Sequence, residues 1–247
     1  MMKAIVFGGT SGMGRAIARR LVERGDLVFL LGNEVGELQK SAADLKAHRN
    51  AGAEVGYAVC DLAAPEGFAR ALDAADAALG GFDAVIVTAA IFATQEALEA
   101  DIELTRQLVT LDYANTLVFC EHARKRLLAR GGGHLTVFSS VAGDRGRKPV
   151  AIYGSAKAGL SIYLEALDHK YHEAGLAVLC VKPGFVKTAM TAGLKPPPFA
   201  GEPDQVALDV IRAMDRRQPV VYTPHIWALV MFVIRCLPRF VMRKIGF

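Results

Sequence analysis

Short apolar runs alternate with longer amphipathic stretches along almost the whole chain. Residues 3–7, Lys-Ala-Ile-Val-Phe, form the first run and predict a buried strand. Runs at 26–31, 54–59, 83–87, 134–138, 177–181 and 220–222 predict further strands. Between them, 15–23 places Ile17, Leu21 and Val22 on one helical face, and 34–48 and 204–214 read as helices. Residues 65–79 predict a helix with Pro65 near its start, where the missing N–H costs little. One long helical region is expected over 95–128, and another from Tyr153 to about residue 173. Repeated strand-then-helix units imply an α/β fold: a doubly wound parallel sheet of about seven strands, with helices on both faces. The pattern divides into 1–223, one continuous α/β unit, and an apolar, basic tail at 224–247.

Polar and glycine positions punctuate the strand ends, and in such sheets ligands bind beyond the carboxyl ends of the strands. Gly8 to Gly14, Asn33, Asp61, Ala89-Ala90, Ser140 and Pro183-Gly184 all fall there. The turn Gly8-Gly-Thr-Ser-Gly12-Met-Gly14 joins the first strand to the first helix. Its glycines allow close backbone approach, and a helix N-terminus offers free N–H groups and a positive dipole end, so the turn suits a phosphate. Tyr153 and Lys157 stand four apart on a predicted helix, which puts both side chains on one face. A free phenol has a pKa of about 10, and an ammonium one turn away is expected to lower it. The tuned phenol then exchanges a proton with a carbonyl or alcohol oxygen, which the Ser140 hydroxyl is placed to hold. Alone, such a Tyr-x-x-x-Lys pair is more often a half-buried ring beside a solvated amine; its company at the strand ends gives it weight.

Composition narrows the classes. Of 247 residues, 52% are hydrophobic and 22% charged, enough for a large core. A net charge of +4, with no zinc-finger or RNA-binding signature, gives no reason to expect nucleic acid. Cys60, Cys120, Cys180 and Cys236 are scattered in or beside apolar runs and read as buried thiols, in keeping with a reducing cytoplasm. Met1-Met2-Lys3 leads straight into the first run, so no secretory signal is expected at the start. The longest wholly apolar run, 226–234, is far shorter than the roughly 20 residues a membrane span needs.

Taken together, these motifs resemble the short-chain dehydrogenase/reductase family, from Lys3 to about Tyr222. The family's T-G-x-x-x-G-x-G is matched by Gly8, Gly12 and Gly14, with Phe7 in place of Thr. Its N-N-A-G falls on Val87-Thr88-Ala89-Ala90, where only one alanine agrees. Its serine falls on Ser140, its Y-x-x-x-K on Tyr153 and Lys157, and its P-G-x-V-x-T on Pro183 to Thr188 without a change. The family asparagine aligns with Asp112, or with Asn115 if the helix is shifted; Asp112 is favoured.

The resemblance implies a Rossmann fold and an oxidoreductase that transfers a hydride between a nicotinamide cofactor and a carbonyl or secondary alcohol. It gives Tyr153 the proton, Ser140 the substrate oxygen, Lys157 the tyrosine pKa and the cofactor ribose, and Asp112 the place in the relay. It gives cofactor contact to Gly8, Thr10, Ser11, Gly12, Met13, Gly14, Asn33, Asp61, Leu62, Ala89, Ala90, Tyr153, Lys157, Pro183, Gly184, Val186 and Thr188. An acidic residue after the second strand would select NAD. Gly32 and Asn33 stand there instead, and Arg15 on the first helix is a further candidate to reach a 2′-phosphate, so NADP is favoured over NAD. A nucleotide-sensing or scaffold protein on the same fold is the alternative from another class, suggested by Val87-Thr88 and Asp112.

The tail contains Trp227 and an apolar run, then Arg235, Arg239, Arg243 and Lys244 as its only charged residues from 235 onward. That pattern suits an interfacial helix on the anionic inner face of a membrane, and equally a segment packed on the sheet, a cap on the substrate pocket or a subunit interface. Similar tails occur in family members acting on lipid-linked substrates. With the Pro196-Pro-Pro198 loop, this implies a lipophilic or lipid-linked carbonyl substrate. The family habit also implies a homodimer or homotetramer.

Overall fold

A computed structural model describes residues 1–48 and 55–246. The expected start of the third strand at residue 54 and the last residue of the tail lie outside them. The sheet contains β1 (Lys3–Phe7), β2 (Leu27–Gly32), β3 (Gly56–Val59), β4 (Ala84–Val87), β5 (Gly133–Phe138), β6 (Leu176–Pro183) and β7 (Val220–Thr223). Its order is β3-β2-β1-β4-β5-β6-β7, and every neighbouring pair is parallel. Pairing reverses direction across the sheet at β1 and β4, which opens a crevice above their carboxyl ends.

Alternate strand residues face opposite sides. Ile5 and Phe7 join one buried cluster with Phe68, Phe119, Leu160 and Leu164, whereas Ala4 and Val6 join a second with Ile17, Leu21, Leu38 and Val210. Helices α1 (Gly12–Arg24), α2 (Val35–Ala47) and α8 (Pro203–Asp215) cover the second face. Helices α3 (Phe68–Leu79), α6 (Thr116–Ala129) and α7 (Ala151–Tyr171) cover the first. Phe7, which takes the place of the family threonine, stacks into this core 4.7 Å from Phe119, ring centre to ring centre.

Two expected helices are broken. Residues 65–67 form a single 3-10 turn, and the α-helix proper begins at Phe68. The region 95–128 divides into α4 (Gln95–Ala100), α5 (Ile102–Val109), a π-helical turn over Thr110–Asn115, and α6. Asp101 divides the first two, because its Oδ1 accepts the Glu103 and Leu104 N–H groups at 2.9 and 3.0 Å and caps a new helix. The π turn buries Leu111 and Asp112, and the Thr116 hydroxyl donates to the Leu111 carbonyl at 2.8 Å.

The tail forms α9 (Ile226–Cys236) and α10 (Arg239–Met242). Met231 and Ile234 are buried beside Val141, with Tyr222 and Trp227 packed against them. Arg145 donates to the Leu237 carbonyl at 2.8 Å, and Lys148 to the Arg243 carbonyl at 2.7 Å. Beneath the tail, Asp144 accepts from Lys182 (2.6 Å) and from the Tyr222 hydroxyl (2.7 Å), tying the segment after β5 to β6 and β7. No helix among the described residues is long and apolar enough to cross a membrane. Cys60, Cys120 and Cys180 are buried, but Cys236 is exposed, because it falls on the outer side of α9.

Candidate active site

The glycine turn is built so that its backbone is bare. Gly8 has φ +87°, and a Cβ there would meet Thr88 Oγ1 at 2.6 Å and the Ala89 nitrogen at 2.7 Å; a Cβ on Gly14 would run into the Gly8 carbonyl. The Thr88 hydroxyl donates to the Phe7 and Gly8 carbonyls at 3.0 and 3.2 Å and so fastens the turn to the end of β4. Ser11 precedes α1 in an extended conformation, and its side chain makes no capping hydrogen bond. The first N–H groups of α1 are therefore left for an anion.

A crevice of about 420 Å³ runs over this turn, lined by Gly8, Thr10, Ser11, Gly12, Met13 and Gly14. Asn33, Asp61 and Leu62 line it towards β2 and β3; Ala89, Ala90 and Thr188 line its other side. These residues fit a dinucleotide: a backbone cradle that side chains would fill, an uncapped helix start, and a groove across the strand ends. Arg15 is not part of the wall; its guanidinium bonds Asp44 on α2 at 3.0 Å. Asp61 accepts the Ala63 N–H at 2.8 Å through Oδ1.

A second chamber of about 580 Å³ adjoins the crevice; Met13, Thr88, Ala90, Thr188 and Met190 line both. Ser140, Tyr153 and Lys157 line it together with Pro183, Gly184 and Val186. Ser140 follows β5, and its hydroxyl accepts the Ala142 N–H at 3.1 Å, which starts a 3-10 turn. The Gln95 side-chain oxygen accepts the Ile152 N–H at 3.1 Å and steadies the first turn of α7, from which Tyr153 projects. The Tyr153 ring meets Phe92 edge-on, with centroids 5.2 Å apart. Lys157 Nζ sits 5.6 Å from the tyrosine ring centre and 3.4 Å from the Phe138 carbonyl.

Asp112 is fully buried behind Lys157, with Oδ2 3.2 Å from Nζ and Oδ1 accepting the Ile91 N–H at 2.8 Å. The π turn turns Asp112 inward. Asn115 points elsewhere and donates to the Leu62 carbonyl at 2.8 Å. Asp112 lines neither chamber nor crevice and acts on the site through Lys157.

The electrostatic balance differs from the sequence expectation. Burial pushes the Tyr153 phenol up; Lys157 and Ser140 pull it down, Asp112 pushes it up again, and the net direction is upward. Burial is the largest of these influences, and the buried carboxylate opposes the ammonium's pull. Burial opposes the Lys157 cation, but Asp112 and Tyr153 outweigh it and raise its pKa.

Most of the remaining chamber wall is apolar: Phe92, Val150, Phe185, Pro198, Trp227 and Ile234 belong to it. The Trp227 indole lies where a Cβ on Gly184 would be, and its N–H donates to the Phe199 carbonyl at 3.3 Å. Thus the tail caps the pocket at the glycine of the Pro183-Gly184 motif. Thr88, Gln107, Arg147 and Trp227 also line these cavities and were not singled out from sequence as site residues; the Trp was legible only as part of an apolar tail. Among the described residues, no group of three or more His, Cys, Asp or Glu side chains is placed to hold a metal ion.

Residues 2–198 match the family model described as short chain dehydrogenase. A Mycobacterium tuberculosis protein described as an uncharacterized oxidoreductase is 36% identical over 246 residues, covering 97% of this chain and 95% of that protein. The cis-4-hydroxycyclohexanecarboxylate dehydrogenase of Sinomonas cyclohexanicum is 30% identical, covering 88% of this chain and 81% of that protein. A solved short-chain type dehydrogenase/reductase from Mycobacterium ulcerans superposes with a TM-score of 0.82 at 22% identity, covering 98% of this chain and 97% of that one.

Proposed function

Because this chain belongs to the short-chain dehydrogenase family, we propose that it reduces the carbonyl group of a lipophilic substrate and prefers NADP to NAD. Nicotinamide-dependent oxidoreduction of carbonyl and alcohol groups is common to the family, and the comparisons lend no support to a non-catalytic scaffold. The observation that carries the proposal is the meeting of Ser140, Tyr153 and Lys157 in an apolar chamber continuous with the glycine crevice. When bound, the cofactor supplies or accepts the hydride. Ser140 donates a hydrogen bond to the substrate oxygen. Tyr153 gives its proton to that oxygen as charge develops on it, and takes it back in the reverse direction. Lys157 stabilises the phenolate left behind, and Asp112 is a positioning residue that holds Lys157 and limits how far the phenol is acidified.

Gly32 and Asn33, with no carboxylate at the end of β2, favour the 2′-phosphate of NADP by removing a repulsion. The apolar walls and the Pro196-Pro-Pro198 loop favour a lipophilic ketone. The Sinomonas relative is named for a ring alcohol, so cyclohexanones belong beside long-chain ketones in the test. Cofactor oxidation over such a panel should run faster with NADPH than with NADH. Faster turnover with NADH would overturn the cofactor preference, and no turnover with either on any ketone would overturn the reductase reading.

The tail supports a second part of the proposal: the protein rests on an anionic membrane surface. Leu229 (62% exposed), Phe232 (67%) and Phe240 (67%) project outward, whereas Met231 and Ile234 on the other side are buried. Arg235, Arg239, Arg243 and Lys244 are all exposed around them. Apolar side chains flanked by cations are the signature of an interfacial helix. Deleting the tail would also strip Trp227 and Ile234 from the chamber, so surface substitutions are the sharper test. Leu229, Phe232 and Phe240 changed together to Glu should abolish sedimentation with phosphatidylserine vesicles and leave the melting temperature within about 3 °C, as expected for exposed positions. Unchanged sedimentation would overturn membrane contact.

A further inference from the structure

Arg147 stands in the substrate chamber without a counterion. It precedes the 3-10 turn Lys148–Val150 that leads into the Tyr153 helix, and it shares the chamber wall with Ser140, Val150 and Tyr153. Its Nε is sealed from solvent and has no hydrogen-bond partner among the described residues, and the carboxylate before it in the chain, Asp144, is paired with Lys182 instead. Its neighbours differ: Arg145 and Lys148 each hold a tail carbonyl. Asp144, the acidic group close enough to be felt by Arg147, already has both oxygens engaged by Lys182 and Tyr222. Burial lowers the Arg147 pKa, and Asp144 offsets this only in part.

Arg147 as a whole is half-buried, but a guanidinium stays charged in proteins, and a donor such as its Nε that is sealed from water without a partner is costly. Folded chains keep such a group where something else completes it. The rest of the lining is mostly apolar and otherwise carries only hydroxyl side chains, and Lys157 is committed to Asp112. The guanidinium fork matches a carboxylate or a phosphate with two parallel hydrogen bonds.

We propose that Arg147 is a specificity-determining residue that binds an anionic group, carboxylate or phosphate, on a lipophilic substrate whose carbonyl lies at Ser140 and Tyr153. This inference rests on the reductase reading of the chamber and narrows its substrate class. It makes the natural substrate an amphiphile, with one end fixed by charge, the body held by Phe92, Phe185 and Trp227, and the carbonyl presented to the phenol. It also gives the pocket a means to reject neutral ketones of similar size, since they would leave the guanidinium unpaired.

The test uses the full-length protein and has two arms. In the first, binding of cyclohexanecarboxylate, cyclohexyl phosphate and methyl cyclohexanecarboxylate to the NADP-loaded protein is followed by saturation-transfer NMR. Arg147→Met should weaken the two anions about tenfold or more and leave the neutral ester within about threefold. Arg147→Lys should recover part of the loss. Whichever anion loses more identifies the source of the charge. In the second arm, wild type should reduce 4-oxocyclohexanecarboxylate with a higher kcat/KM than its methyl ester, and Arg147→Met should remove that preference through KM. Equal effects of Arg147→Met on anions and ester in the first arm overturn the proposal. Arg147-dependent anion binding without any ketone turnover would uphold it and overturn the reductase reading instead. Retained ester binding in Arg147→Met shows that the variant is folded.

Discussion

Tyr153→Phe should lower kcat for ketone reduction by about 10²- to 10⁴-fold, the range ascribed to a positioned proton donor. The substitution removes one oxygen. The ring keeps its edge-on contact with Phe92, and the glycine turn lines the crevice whereas Tyr153 lines the adjoining chamber. NADPH affinity, read from quenching of intrinsic fluorescence, should therefore change by less than about threefold, and the melting temperature should hold. Ser140 remains to polarise the carbonyl, so some turnover above background is expected. Activity within about threefold of wild type would show that the phenol is not the proton donor.

The buried Lys157–Asp112 pair should produce the largest stability effect. The two side chains are 3% and 0% exposed, and their charged atoms are 3.2 Å apart. Lys157→Met leaves a carboxylate in the interior with the Ile91 N–H as its remaining bond, and breaking a buried pair in this way costs about 3–5 kcal/mol. For a chain of this size each kcal/mol moves the melting temperature by about 2–4 °C, so a fall of roughly 6–20 °C is expected. Adding Asp112→Asn should restore much of it, because the stranded charge is gone. If the two substitutions destabilise additively, the pair is not coupled.

Asp112→Asn alone reports on the electrostatics of the phenol. Removing the carboxylate removes a charge that raises the Tyr153 pKa and, over the pH range where Lys157 keeps its proton, leaves the lysine's pull unopposed. The phenol pKa then falls. Alcohol oxidation needs the phenolate, so its activity should rise at lower pH than in wild type. Ketone reduction needs the neutral phenol, so its alkaline limb should also move to lower pH. Movement of both limbs upward would contradict the assigned role of Asp112.

The strand-end motifs carried much of this site in the sequence. Gly8, Gly12, Gly14, Ser140, Tyr153 and Lys157 are read from local spacing, and the sheet's parallel order brings their strand ends to one edge. Asp112 and Asn115 were not separable in the same way. An unbroken α-helix leaves both near the site, and only the π turn, held by Thr116 on the Leu111 carbonyl, directs one inward and the other to Leu62. Arg15, the other candidate for a 2′-phosphate, is engaged by Asp44, a partner 29 positions distant.

By itself, then, the chain's pattern of short apolar runs and glycine turns determined the α/β layers, the strand ends as the place of the candidate site, and the spacing of the tyrosine–lysine pair, because each of these depends on neighbours within a few residues. Tertiary packing alone decided what surrounds that pair. The carboxylate that opposes the lysine and the tryptophan laid on Gly184 come from segments far from the pair in sequence, and whether the nearby Arg147 finds a counterion is likewise decided by what packs around it. The charge and dielectric at a phenol depend on every group packed around it, and no local spacing records that sum.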